Sequence, residues 1–405
     1  MIDFKAEAQK IEDQIIGWRR DLHKIPELGL ETPKTREYIE TQLDEMGIEY
    51  ESGCAENGVI ALIEDDEQEK SKTFAIRADM DGLEVEEKTG LEFASEHKGR
   101  MHACGHDSHV AMALGAARII SENRELFPGN IKFLFQPGEE GAGGGERMVE
   151  EGALKDPDVD AIIGLHIGGV FEEVQPGQIG IGSGPVMACM DRFKMKVLGK
   201  GGHGAMPDTC IDPIAVSASL IESIQTLISR EISPVRPGVI SVCRINGGSA
   251  FNVIPEEVEM EGTARFIHQK EREEISQRME EMCRKIAESR GAELEFDYEY
   301  EHPPLVNPPE FTEFFRDCAL DLFSEEDVIE LEEPVMGGED MAYYLQEVPG
   351  TFFFLGGQRE IEGEFQGHHN PRFDIDESVF WKGTALFVRT AYKWLESNAG
   401  SEGRA

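Results

Sequence analysis

From His102 to His109 the chain reads His-Ala-Cys-Gly-His-Asp-Ser-His, one thiol and three imidazoles in eight residues. Alone, each histidine reads as a satisfied structural residue. Together with Cys104 they point to a metal, because thiolate and imidazole are favoured donors to zinc and its neighbours. Glu139 and Glu140 stand directly after Gln136-Pro137-Gly138. Two adjacent carboxylates allow one to hold a metal while the other takes a proton from an activated water. The competing reading is a solvated acidic loop end. The following run, Gly141-Ala142-Gly143-Gly144-Gly145, is not a phosphate cradle: it lacks the lysine of such loops, and two carboxylates at its mouth repel a pyrophosphate. His166 and the pair Asp79 and Asp81 complete the set.

Short apolar runs must position these groups. Val59–Ile63, Phe74–Arg77, Ile131–Phe135 and Ala161–Leu165 predict strands, alternating with helices Lys34–Met46 and Val110–Ile120, where apolar residues return every three or four positions. The pattern is an α/β sheet with crossover helices. Asp79 and Asp81, Glu139 and Glu140, and His166 each follow one of these strands. They therefore fall at carboxyl ends, where open α/β sheets bind ligands. After Met187 the rhythm changes to strand Phe193–Leu198, helix Ile214–Ile228, strands Val239–Ile245 and Val258–Arg265, helix Lys270–Ser289 and strand Glu293–Tyr298. That βαββαβ order predicts a ferredoxin-like unit. In its second helix Ile275, Met279, Met282 and Ile286 form one stripe, read as core. His302–Pro309, with four prolines, reads as a return linker, and Phe352–Leu355 as another buried strand. A small domain, 188–301, is thus expected to be inserted into a discontinuous larger one, 1–187 and 302–405.

At 405 residues two domains are the better prior, and 40% apolar residues supply real cores. With 39 basic and 80 acidic residues the formal charge is −41, which repels nucleic acid and anionic lipid. The first ten residues carry no apolar targeting segment and no apolar run approaches a membrane span, so a cytoplasmic protein is expected. Seven cysteines form no Cys-x-x-Cys pair, against a disulfide framework or zinc ribbon. The charge also leads to the expectation that salt in the molar range stabilises the protein, as in a halophile.

RADMDGL (77–83), MHACGHDSH (101–109), FQPGEEGAGG (135–144), GLH (164–166), GGHGAMP (201–207), FNVIP (251–255), GTAR (262–265) and HHNPRFDIDE (368–377) occur in this order. Over about residues 10–395 the chain thereby resembles the aminoacylase, hippurate hydrolase and auxin-conjugate (indole-acetyl-amino-acid) hydrolase family of metallopeptidases. The resemblance implies an aminopeptidase-like catalytic domain with a mixed sheet flanked by helices, two divalent metals per subunit, and an inserted lid that also dimerises. It implies that Cys104, His106, Glu140, His166 and His369 are metal ligands, His369 because His369-Asn370-Pro371 keeps the family spacing, with His368 a neighbour. Glu139 matches the general base and Asp81 a carboxylate that orients a ligand. His203, Asn252 and Arg265 match positions aimed at the substrate, with His203 reaching the other subunit's metal site. The wider superfamily has His-x-Asp where this chain has Asp79-Met80-Asp81, so the Cys104/His106 pair stands in for that histidine and marks the amidohydrolase branch. The implied reaction is removal of the acyl group from an N-acyl amino acid or related amide. The runner-up is a metallo-dipeptidase or carboxypeptidase, and a non-catalytic metal or amino-acid-derivative binding protein is the reading from another class. A thiolate favours zinc and the remaining donors suit manganese, with cobalt and nickel also admissible.

Overall fold

The computed structural model describes residues 2–65, 71–361 and 363–399. The chain packs as two units, Met1–Gly184 with Val306–Glu333 and Asp340–Ala405, and Pro185–Leu305 with Pro334–Glu339. The first opens with strands β1 (Glu49–Cys54), β2 (Gly58–Ile63), β3 (Thr73–Asp79), β4 (Asn130–Gln136), β5 (Ala161–Ile167) and β6 (Ile179–Ile181). The second contributes β7 (Asp191–Leu198), β8 (Gly238–Gly247), β9 (Glu257–Phe266) and β10 (Glu293–Tyr300). The chain then returns to the first with β11 (Val328–Glu330) and β12 (Gly350–Leu355).

In the first unit eight strands form one mixed sheet in the order β1-β2-β4-β3-β5-β12-β6-β11. The central run β4-β3-β5-β12 is parallel, and β2 joins it antiparallel. Every residue of β3, β5 and β12 is buried. That is why these strands read as unbroken apolar runs: a parallel sheet is covered on both faces. Helix His106–Glu122 is buried around nearly its whole circumference, as its Ala-, Met- and Ile-rich sequence requires.

In the second unit four antiparallel strands lie in the order β8-β9-β7-β10. Phe193, Met195 and Val197 of β7 join a core with Ile275, Met279, Cys283 and Ala287 of helix Gln269–Ser289. The predicted apolar stripe is therefore core, with Met282 and Ile286 at its margin. On the alternate face of β7, Lys194 pairs with Glu299 at 2.9 Å and Lys196 with Glu257 at 2.9 Å, and Arg192 meets Glu261.

Two expectations need correction. Helix Pro213–Thr226 stops short of Ile228, because the chain widens into a π-type turn at Leu227–Glu231. His302–Pro309 is not a plain linker: Leu305–Asn307 is a strand and Pro309 opens a helix. Asn307 is buried, donating to Phe352 O at 2.8 Å and accepting the Phe352 N–H at 2.9 Å, so a distant partner overrides the local proline signal.

Candidate metal centre

The C-terminal ends of β3, β4 and β5 bring Asp81, Glu139 and Glu140, which follow β3 and β4, and His166, within the end of β5, together beside the N-terminus of helix His106–Glu122. His166 Nδ1 lies 2.8 Å from Ile167 O, and His106 Nδ1 3.0 Å from Asp81 O. A carbonyl oxygen only accepts, so in both rings Nδ1 carries a proton and Nε2 is the nitrogen turned toward the other donors. His166 Nε2 is 3.4 Å from Cys104 Sγ. His106 Nε2 is 4.0 Å from both Glu139 Oε2 and Glu140 Oε1, buried, and without a hydrogen-bond partner. A buried imidazole nitrogen without a hydrogen-bond partner, facing a thiol and carboxylates, is a position that a cation would satisfy in place of a proton. Among the described residues four groups have donor atoms within 4.8 Å of one another: Cys104, His106 and His166; Asp79, His106 and His109; Cys104, Glu140 and His369; and His106, Glu139 and Glu140.

The electrostatics suit a cation as well. Burial, reinforced by the Glu140 carboxylate, pushes the Cys104 thiol well above its ordinary pKa. Burial disfavours a charged His106, yet the Asp79 carboxylate and the Cys104 sulfur raise it well above its usual value. Burial and then the imidazoles of His109, His368 and His106 hold His166 well below, hence neutral. Burial raises Glu140, but the bond from His369 and the charge of His106 outweigh it and keep the carboxyl low. Ligation needs a thiolate and neutral imidazoles, so metal uptake releases protons and tightens as pH rises. Cys104→Ala is expected to lower metal occupancy; full occupancy by elemental analysis would remove Cys104 from the ligands.

Glu139 is only 7% exposed, which disposes of the solvated-loop reading. Asp81 fixes the turn that carries it: Oδ1 accepts the Glu139 N–H at 3.1 Å and Oδ2 the Glu140 N–H at 3.1 Å. Asp81 Oδ1 also lies 3.3 Å from His106 Nδ1. The glycine run closes this loop tightly. A Cβ on Gly144 would sit 1.6 Å from Pro137 O, so no other residue fits there.

His369 Nε2 is 3.3 Å from Glu140 Oε1, and its backbone takes φ 65°, with its N–H on Ala103 O at 2.8 Å. His368 instead packs against Phe373 and His166, with Nδ1 3.8 Å from Cys104 Sγ. A Cβ on Gly168 would come within 2.7 Å of its ring, so a glycine there makes its room. His203, Asn252 and Arg265 belong to the second unit. His203 is exposed and pairs in register with Val253, beside Asn252, whose carbonyl accepts the Gly204 N–H at 2.9 Å. Arg265 lies on β9 and is partly buried, its guanidinium disfavoured by burial. His102 is buried, burial pushes its pKa down to about 3, and it joins none of the donor groups. The sequence placed Asp79 and His109 near the candidate site but gave neither a role, although both are buried beside His106. The signal was present in the third histidine of the motif, one helical turn after His106.

Comparison with known proteins bears out the resemblance drawn from the motifs. The family model described as peptidase family M20/M25/M40 matches residues 75–393. An N-acetyl-L-cysteine deacetylase of Bacillus subtilis is 39% identical over 97% of this chain and 91% of its own length. Thermostable carboxypeptidase 1 of Saccharolobus solfataricus is 39% identical over 96% of this chain and 98% of its own. Among solved structures, a dinuclear metal-binding M20 peptidase of Bacillus subtilis superposes with a TM-score of 0.81 at 33% identity, covering 96% of this chain and 99% of that one. Its α/β architecture of a mixed sheet and helices is shared here. Match length and identity together establish that this chain belongs to peptidase family M20/M25/M40.

Proposed function

We propose that the protein is a metal-dependent amidohydrolase that cleaves the amide bond of N-acyl amino acids. The observation that carries this reading is Glu139, a buried carboxylate fixed by Asp81 against a donor cluster of Cys104, His106, Glu140 and His166. Two divalent ions, zinc or manganese, held by those four residues and His369, supply when bound a lowered pKa for water and polarisation of the amide carbonyl. Glu139 accepts the proton of the attacking water and returns it to the leaving amine. Asp81 keeps Glu139 and Glu140 aimed, so that one carboxylate ligates while its neighbour takes the proton. Asn252 and Arg265 bind the substrate's polar groups.

A panel of N-acetyl and N-benzoyl amino acids, with Mn²⁺, Zn²⁺ or Co²⁺ supplied, tests the reading. Turnover is expected. No hydrolysis across the panel would leave a metal or amino-acid-derivative binding protein. The archaeal relative's name favours a second reading, a carboxypeptidase or dipeptidase acting by the same water chemistry. Faster cleavage of a dipeptide than of the N-acyl amino acid with the same C-terminal residue would select it.

The second unit, on this proposal, is a ferredoxin-like lid that joins two subunits. Support comes from β8, an edge strand, and from apolar residues left exposed there and nearby: Val239, Ile245, Val253 and the fully exposed Phe251. Such an edge is covered in a stable protein. A cytoplasmic location fits the seven free cysteines. Among the described residues no helix is long and apolar enough to cross a membrane. The charge of −41 leads to a salt prediction. Raising KCl shortens the Debye length from ~30 Å at 0.01 M to ~3 Å at 1 M. Screening then outweighs the weakening of surface pairs such as Lys194–Glu299, each worth at most about 1 kcal/mol. The melting temperature should therefore rise with KCl into the molar range, with metal kept saturating, as in a halophilic protein. A flat or falling curve would refute it.

A further inference from the structure

Behind the ligand cluster runs a line of buried polar contacts. His109 Nε2 accepts the Ile167 N–H at 3.0 Å. An accepting nitrogen carries no hydrogen, so the ring proton sits on Nδ1, 2.5 Å from Asp79 Oδ1. Asp79, fully buried, also accepts from Arg77 Nη1 at 2.8 Å. Arg77 Nε donates to Gln136 Oε1 at 2.9 Å, and Gln136 Nε2 to Asp340 Oδ2 at 2.7 Å. Arg77 and Asp79 end β3, Gln136 ends β4 and Ile167 ends β5, so the line ties together the three strand ends that carry the centre.

Ile167 is where this line meets a ligand. Its N–H is held by His109, and its carbonyl accepts the Nδ1–H that orients His166. Asp79, His106 and His109 also lie close enough together to suggest a metal group of their own. Both ring nitrogens of His109 are already committed, however, which leaves no lone pair for a cation.

We propose that Asp79 and His109 form a positioning pair for His166: Asp79 fixes the His109 tautomer, His109 anchors the Ile167 peptide, and that peptide aims His166 Nε2 at Cys104. Two acceptor oxygens are needed on residue 79, one for His109 and one for Arg77. Asparagine therefore fills the space but must turn its amide toward one of these donors. The proposal rests on the reading of His166 and Cys104 as metal ligands.

The test uses the full chain, stripped with a chelator and titrated with Co²⁺, with no substrate present. Equilibrium dialysis gives stoichiometry and affinity, and the thiolate-to-cobalt absorption band reports on Cys104. Wild type is expected to bind two equivalents. His109→Leu and Asp79→Asn should weaken at least one of them about 10–100-fold, the usual cost of losing a partner behind a ligand. His109→Gln, whose amide oxygen can accept the Ile167 N–H, should recover most of that loss. Unchanged affinity in His109→Leu overturns the proposal. So does an equal loss in the Leu and Gln variants that follows a lower melting temperature of the metal-free chain, which marks a merely structural role. Three equivalents in wild type, falling to two in His109→Leu, overturn it in favour of a metal on His109 itself. No Co²⁺ binding by wild type overturns the metal reading, and this proposal with it.

Discussion

Glu139→Gln is expected to lower kcat by about 10²–10⁴-fold, the range typical for removal of a general base. Glutamine keeps the shape and the main-chain bond to Asp81 Oδ1, but it cannot take a proton. Metal content should therefore stay at the wild-type level, since Cys104, His106, Glu140, His166 and His369 are untouched. This split between chemistry and occupancy separates Glu139 from its neighbour: Glu140→Gln removes a proposed ligand and should lose metal as well. Normal turnover in Glu139→Gln would end the assignment of the base.

His203→Ala should cost about 10²–10³-fold in kcat, as loss of one donor to a developing oxyanion does. The Ala205 N–H points at His203 Nδ1 from 3.1 Å, so Nδ1 accepts and the exposed Nε2 carries the proton a donor needs. If that donor serves the partner subunit's centre, mixing two inactive proteins restores activity. A Glu139→Gln chain contributes a sound His203, and a His203→Ala chain contributes a sound metal site, so each heterodimer holds one complete centre. No recovery despite proven subunit exchange would refute the arrangement in trans.

The donor cluster was legible because its members are dense in sequence or sit directly after apolar strand runs. Cys104 and His106 lie two residues apart, and Glu139, Glu140 and His166 need only the rule that strand ends converge. The partners behind them were not legible. That His109 holds Ile167, 58 residues away, depends on β3 and β5 pairing in parallel and on the exact turn of the helix between them. His369 takes a positive φ that no residue type there announces. The segment around Asn307 misled for the same reason: its prolines are a local signal, while its bonds to Phe352 are made across 45 residues.

One strand of the first sheet comes late. β12 lies between β5 and β6, yet the second unit intervenes in the sequence. The equilibrium cost is small, since each doubling of a closed loop adds only about 0.6 kcal/mol. The cost in time is larger. Synthesis runs from the N-terminus, so Pro185–Leu305 is complete before the strand that must slot between β5 and β6 has been made. Cys104, His106 and His166 all precede it, and His369 follows it. During biogenesis three of the proposed ligands are therefore made before the last central strand, and the donor set is complete only once β12 and the segment carrying His369 have followed.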